Sequence, residues 1–234
     1  MPNVQLVLGE WHRPVNLQSA YITPLLKKAD LDPAEPNSSR PISNLSVISK
    51  LLERRVSKQL LRYLKDNDLL PDLQSAYTAH YSTETAILRV LSDVLSALDS
   101  GNLVMLTLLD LSAAFDSVDH HTVLQRLCTS YGLGEKVINW FTSYLSGRTQ
   151  QVRTATSSSI PSAVDFAVPQ GSVLGPILFL LYTADLLQLV KCHHPKPHAY
   201  ADDTYGHCQL SASLNGLPSA STRFQRGWRQ INCN

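Results

Sequence analysis

From Leu45 to Lys65 the apolar residues Ile48, Leu52, Val56, Leu60 and Leu64 recur at every fourth position, which predicts the buried stripe of an amphipathic helix. Lys50, Arg54, Lys58 and Arg62 recur at the same interval, two residues out of phase. At about 100° per residue that offset sets them on the opposite face as a basic ridge. A second helix is predicted from about Ser82 to Leu98, where Ile87, Leu91, Val94, Leu95 and Leu98 share a face. Ser82 or Thr83 can cap its start, and Gly101 with Asn102 ends it. The run LVMLTLL is apolar almost throughout and predicts a strand covered on both sides at the centre of a sheet; the next residue is Asp110. Two helical stretches follow, roughly Asp119 to Tyr131 and Glu135 to Leu145, broken at Gly132 and Gly134. RTQQVRTA and AVDFAV, with the serine-rich SSSIPS between them, predict a hairpin. VPQGSVLGP leads into a mostly apolar helix running to about Leu189, and HAYADDTYG reads as strand, tight turn and strand. The first forty residues, rich in Pro, Asn and Asp, read as a lead-in with at most one strand, at AYITPLL. This order of elements predicts an α+β architecture, a sheet with helices packed behind it.

Composition narrows the class. At 234 residues and 44% hydrophobic content the chain can bury a sizeable core in one large or two small domains. The start, MPNVQLVLGE, lacks the basic and long apolar regions of a secretory signal. The longest apolar stretch, VLGPILFLLYTA, is too short to span a bilayer. The expectation is a soluble intracellular protein without membrane association. Cys128, Cys192, Cys208 and Cys233 form no CxxC pair, so neither a zinc ribbon nor a disulfide framework is indicated. Cys192, His193, His194 and His198 crowd together, but Pro195 and Pro197 break any helix that would align them for zinc. The net charge of +1 is low for a protein that grips a polyanion. Its distribution is uneven: between Arg40 and Lys65 there are seven basic residues and one acid, Glu53. The ridge is suited to a phosphate backbone, although a solvated helix face has the same pattern.

The chemistry concentrates in three carboxylates. Asp202 and Asp203 lie between short apolar runs in AYADDTYG, and Asp110 ends the apolar run before it. Desolvating an isolated carboxylate costs several kcal/mol, so converging acids need a cation. Magnesium, which binds a few carboxylates together with substrate phosphates, fits such a set and points to two-metal phosphoryl transfer. Taken alone, the paired acids are equally an ordinary turn, since Asp tolerates turn backbone.

RPISNLSVISKLLERRVSKQL, QSAYTAHYSTETAILRV, LLDLSAAFDSVDH, VPQGSVLGPILFLLYTADL and AYADDT stand in this order along the chain. Their sequence and order resemble the reverse transcriptases of LINE-type (non-LTR) retrotransposons, over about Ile22 to Leu210. The resemblance implies the fingers and palm of a right-hand polymerase: an antiparallel palm sheet backed by helices and a partly helical fingers region. It divides the chain into a weakly structured lead-in (1–21), the reverse transcriptase domain (22–210) and a divergent, poorly ordered tail (211–234). It further implies RNA-directed DNA polymerase activity on an RNA template, a DNA primer and deoxynucleoside triphosphates, with two Mg2+ ions held by Asp110, Asp202 and Asp203. Leu111 would offer a backbone carbonyl, Phe115 would be the steric gate against a ribose 2′-hydroxyl, and Gln170 and Gly171 would line the nucleotide and template pocket. Gly171 would permit close backbone approach. Phe115 is equally a core residue under the palm, and Ser172 equally a helix cap. Arg40 is a candidate for the triphosphate, and Lys50, Arg54, Lys58 and Arg62 for the nucleic-acid backbone.

Two departures bear on activity. Where the family commonly carries an arginine to clamp the triphosphate, this chain has Thr78. After about Leu210 neither the lysine-bearing segment nor the primer-grip hairpin follows, so the expectation is a polymerase piece without a thumb or a preceding endonuclease domain. The alternative is a catalytically silent relic that binds nucleic acid through the Lys50 to Arg62 ridge. A metal-dependent nuclease on the same acids would leave Phe115 and the PQG segment unexplained.

Overall fold

The computed structural model describes residues 18–71, 73–109, 111, 114–154, 156–192 and 196–210. The chain divides into two compact units, Met1–Leu70 with Ala113–Tyr182, and Pro71–Ser112 with Thr183–Asn234.

The first unit holds a four-stranded sheet in the order β2-β1-β4-β5. β1 (Ser19–Leu26) pairs antiparallel with β2 (Ser39–Asn44) and parallel with β4 (Thr149–Val152), while β5 (Ser162–Ala163) closes antiparallel on β4. The predicted hairpin is therefore reduced to two residue pairs. Beyond Ala163 the second run leaves β4, and Phe166 makes an isolated bridge to Asp119 instead. β2 was not legible in the pattern because Ser39–Asn44 contains one apolar position, Ile42.

α1 (Val47–Asp66) begins at Ser46, whose side chain accepts from Ser49 N. Val56, Leu60 and Leu64 are fully buried, as the stripe predicts, but Ile48 is 67% exposed. A strict four-residue repeat advances about 40° per step around an α-helix, so a stripe of five positions cannot stay on one straight face. Ser49 and Glu53 occupy the buried side of the first turns in its place. α3 (His120–Thr129) is capped by Asp119 and α4 (Glu135–Leu145) follows Gly134, both close to the predicted bounds. Trp140 meets Phe141 edge-on at 5.1 Å and stacks on Tyr144 at 5.6 Å, an aromatic core for this unit. Tyr63 donates from its hydroxyl to Tyr131 O at 2.7 Å and so ties α1 to the α3–α4 turn. α5 (Gly175–Cys192) contributes its first residues, to Tyr182, to this unit, with Leu178, Phe179 and Leu181 fully buried.

The second unit is a three-stranded antiparallel sheet, β3-β7-β6, with α2 (Thr83–Asp99) against it. β6 (Lys196–Tyr200) and β7 (Asp203–Leu210) form the predicted hairpin, and β7 pairs with β3 (Leu103–Leu109) along its full length. Among the described residues β7, not β3, is the central strand. An apolar run reports two apolar faces and says nothing about which edges are paired, so the predicted central position of β3 is overturned. Leu103, Leu106 and Leu108 are exposed, so the expected cover on both faces of β3 is overturned as well. α2 carries a capping box between Ser82 and Thr85. It buries its small residues Ala86, Val90 and Ala97, which allows close helix–sheet approach, while Ile87, Leu91, Leu95 and Leu98 stay about half exposed.

Candidate active site

In the second unit Tyr200 pairs with Asp203, leaving Ala201 and Asp202 as the two residues of the hairpin turn. Asp202 is half-buried and Asp203 exposed. Ala201 sits at φ +56°, at the first turn position, where a two-residue hairpin ordinarily places glycine. The β3–β7 register runs to Leu109 opposite Thr204, the residue after Asp203. Asp110 follows Leu109 in sequence and lies outside the described residues, while Leu111 is half-buried.

The backbone of the turn is held by a side chain from outside the hairpin. That side chain belongs to Gln74, a residue that the sequence pattern does not single out. Its Nε2 donates to Ala201 O at 3.1 Å, and its Oε1 accepts from Ala201 N and from Ala76 N, each at 3.0 Å. The backbone on either side of Gln74 runs beside β6: Ser75 N donates to Ala199 O and Ala199 N to Leu73 O. Tyr77 also faces the turn. Its phenol is pushed above the ordinary range first by burial, then by the charge of Asp202 and by Tyr200. Tyr205 is raised in the same way, by burial and then by Asp203. Asp202 and Asp203 offer an oxygen-only donor set, which suits a hard divalent cation. The residues present therefore fit a magnesium site, although among the described residues no group of three or more metal-ligating side chains assembles.

His198, the one described histidine of the Cys192–His198 cluster, lies 3.0 Å from Ser75 Oγ through Nε2. Burial, then the nearby charge of Arg89, holds its pKa below the ordinary value, with Asp93 opposing. A half-buried imidazole bonded to a buried serine accounts for this histidine without a metal. His193 and His194 lie outside the described residues.

In the first unit Phe115 is half-buried, its ring 5.1 Å from that of Phe179, and its carbonyl accepts from Val168 N at 3.0 Å. The ring packs against the core and has an open side, so the packing and gate roles are compatible. Gln170 joins Phe115's unit through β2: its carbonyl accepts from Ser43 N at 2.8 Å. Gly171 stands at φ +100°, and a Cβ there would meet Ser43 O at 3.2 Å. The close approach expected of this glycine is thus made by the protein's own β2 backbone. Ser172 Oγ accepts from Gly175 N at 2.9 Å and acts as a cap. Glu53, counted in the sequence only as the lone acid among bases, is 1% exposed. It accepts from Val173 N at 2.7 Å and Leu174 N at 3.4 Å, and from Ser49 Oγ at 3.0 Å. The segment from Gln170 to Leu174 is therefore held at its start by β2 and at its end by α1. A cavity of about 290 Å³ opens beside it, lined by Gln170, Ser43, Asp116 and Arg148 among others.

Arg40 is exposed on β2, opposite Leu25. Arg54, Lys58 and Arg62 are exposed along α1 and Lys50 is half-buried, so the basic ridge faces solvent through most of its length. Thr78 Oγ1 bonds to Ala76 O at 3.3 Å. No helix among the described residues is long and apolar enough to cross a membrane.

A family model described as reverse transcriptase (RNA-dependent DNA polymerase) matches residues 26–229. The chain is 35% identical over 170 residues to the probable RNA-directed DNA polymerase from transposon BS of Drosophila melanogaster, covering 70% of this chain and 17% of that protein. It is 32% identical over 217 residues to the corresponding protein of transposon X-element from the same organism, covering 90% of this chain and 24% of the relative. It thus spans about a quarter or less of the length of these relatives. Among solved structures, telomerase from Candida Tropicalis in complex with a TWJ fragment of telomeric RNA superposes with a TM-score of 0.62 at 12% identity, over 90% of this chain and 39% of that one. An apo form truncated from its C-terminal domain gives 0.59 at 14% identity, over 89% and 46%. At these identities the likeness concerns the fold.

Proposed function

The chain belongs to the reverse transcriptase (RNA-dependent DNA polymerase) family, and from that premise we propose that it carries the nucleotidyl-transfer site of a LINE-type RNA-directed DNA polymerase. The observation that carries this reading is the hairpin of the paired acids: two adjacent carboxylates, Asp202 in the turn and Asp203 directly after it, on backbone that Gln74 holds from outside the hairpin. With Asp110 these acids would hold two magnesium ions. Bound there, magnesium supplies a lowered pKa for the primer 3′-hydroxyl and charge neutralisation for the triphosphate and leaving pyrophosphate. The reaction joins the primer 3′-oxygen to the α-phosphorus of a deoxynucleoside triphosphate, breaks the α–β phosphoanhydride bond and releases pyrophosphate and the hydroxyl proton.

The remaining residues take roles in binding. Phe115 reads the sugar by excluding a 2′-hydroxyl. Gln170 and Gly171 form a wall for template and nucleotide whose shape depends on the bonds to Ser43 and Glu53. Arg40 offers charge to the triphosphate. Arg54, Lys58 and Arg62, with Lys50, follow the phosphate backbone of an RNA template and DNA primer.

The test is primer extension on an RNA template with deoxynucleotides and magnesium, comparing the chain with Asp202→Asn, which keeps volume and removes charge. Extension that vanishes in the variant supports the reading, and extension that survives it refutes the site. One observation favours a second reading, a silent relic that only binds nucleic acid: the uncharged Thr78 spends its hydroxyl on Ala76 O. Failure to extend by a folded chain, together with affinity for nucleic acid that falls steeply with salt, would favour it.

A further inference from the structure

We propose that Gln74 is a positioning residue for the Asp202–Asp203 turn, acting through a two-point amide pair with the backbone of Ala201. This rests on the reading of the turn as the reactive site. Gln74 and Ala201 are 127 residues apart in sequence, yet the glutamine side chain satisfies both backbone groups of the alanine, donating to its carbonyl and accepting from its N–H. The same Oε1 accepts from Ala76 N, so the side chain is itself anchored and is 9% exposed.

The chemistry requires this residue type. A primary amide, which presents an N–H donor and a carbonyl acceptor on one planar group, is found only in Asn and Gln. Asn is a methylene shorter. Glu would turn an acceptor toward the Ala201 carbonyl and add a negative charge beside two others. The partner requires it as well: Ala201 is held at φ +56°, a conformation that residues with a Cβ resist and that persists only where surroundings over-determine it. Gln74 supplies that constraint one residue before the carboxylates, so turn backbone and acid placement are set together.

A purely structural role is separable, because Gln74 sits in a segment already joined to β6 by backbone bonds from Leu73 and Ser75 to Ala199. Those bonds survive replacement of the side chain. Gln74→Leu should therefore keep the fold and release the turn.

The experiment compares the full chain with Gln74→Leu, and with Gln74→Leu combined with Ala201→Gly. The first readout, independent of activity, is exchange of the Ala201 amide proton by NMR: release of the bond to Gln74 should speed it by about tenfold or more, while amides of β7 are unchanged. The second is Mn2+ affinity and kcat of primer extension. A turn displaced by a fraction of an ångström should cost up to about a hundredfold in kcat with KM for nucleotide and affinity for primer–template unchanged. Ala201→Gly, which adopts the turn backbone freely, should restore much of the loss. Unchanged exchange at Ala201 overturns the proposal, whatever the activity. So does a loss of kcat that glycine does not rescue, or one matched by a general rise in exchange across the sheet. If the unaltered chain extends no primer while exchange at Ala201 responds as stated, the positioning role stands and the polymerase reading fails.

Discussion

Glu53→Leu removes an acceptor that α1 offers to the segment leading into α5. In the folded chain Glu53 is 1% exposed, with Val173 N at 2.7 Å and Leu174 N at 3.4 Å from Oε2, and Ser49 Oγ at 3.0 Å from Oε1. Leu174 is fully buried, so its amide finds no water once the carboxylate is gone. A buried donor left unsatisfied costs about 1–3 kcal/mol. The short Val173 bond, charge-assisted and near the N-terminus of α5, contributes a further cost of about 1 kcal/mol. The added apolar burial of leucine and the relief of desolvating a carboxylate offset part of this. A net destabilisation of about 2 kcal/mol is expected for Leu. Glu53→Gln, which retains one acceptor, should lose only about half as much. For a chain of this length about 2 kcal/mol corresponds to a fall in Tm of roughly 4–8 °C. Thermal and urea unfolding followed by circular dichroism measure it. A Leu variant as stable as the original chain, or a Gln variant worse than Leu, would refute the argument that the carboxylate is retained for these amides.

Three further outcomes follow from local geometry. Gly171→Ala places a methyl group 3.2 Å from Ser43 O at a φ of +100°, and should destabilise by about 2 kcal/mol; a melting temperature within a degree of the original would contradict this. Asp119 caps α3 by accepting from Thr122 N, and its side-chain bond to Thr122 holds its carboxyl below the usual range. Its stabilisation is therefore complete above the unfolded-state pKa and is lost as pH falls through the folded one. Asp119→Ala should cost about 1 kcal/mol at neutral pH and converge with the parent in acid, and a difference independent of pH would be inconsistent with the cap. Phe115→Ala should admit ribonucleotides in primer extension, with unchanged sugar selectivity counting against the gate; a cavity beside Phe179 should also cost about 3 kcal/mol of stability.

Periodicity located the elements well where one face is apolar and the ends are punctuated: α4 lies on its predicted bounds, α2 starts at the predicted Ser82 cap, and the β6–β7 hairpin turns at the paired acids. It failed where pairing partners decide. β3 reads as central because its side chains are apolar on both faces, yet the pairing places β7 between β3 and β6. β4 reads as half of a simple hairpin, yet its longer partner is β1, more than a hundred residues earlier. Sheet order is a property of long-range hydrogen bonds, to which side-chain pattern is nearly blind.

The same blindness explains which site residues were missed. Asp202, Asp203, Phe115, Gln170 and Gly171, the residues proposed for the site, could be named from the sequence because a motif marks them by type and order. Gln74 and Glu53 could not, because a buried polar side chain that serves a distant backbone looks, in the pattern, like any surface Gln or Glu. Both satisfy backbone groups more than a hundred residues away: Gln74 those of Ala201, Glu53 those of Val173 and Leu174. In each case the served segment carries motif residues on backbone that cannot hold itself, a left-handed alanine in one and a glycine at φ +100° in the other. Left-handed backbone at a motif is here accompanied by an external support, a buried glutamine in one case and a buried glutamate in the other. Polar residues that periodicity would assign to solvent, in segments flanking motifs, are therefore where the supports of such a site are to be sought.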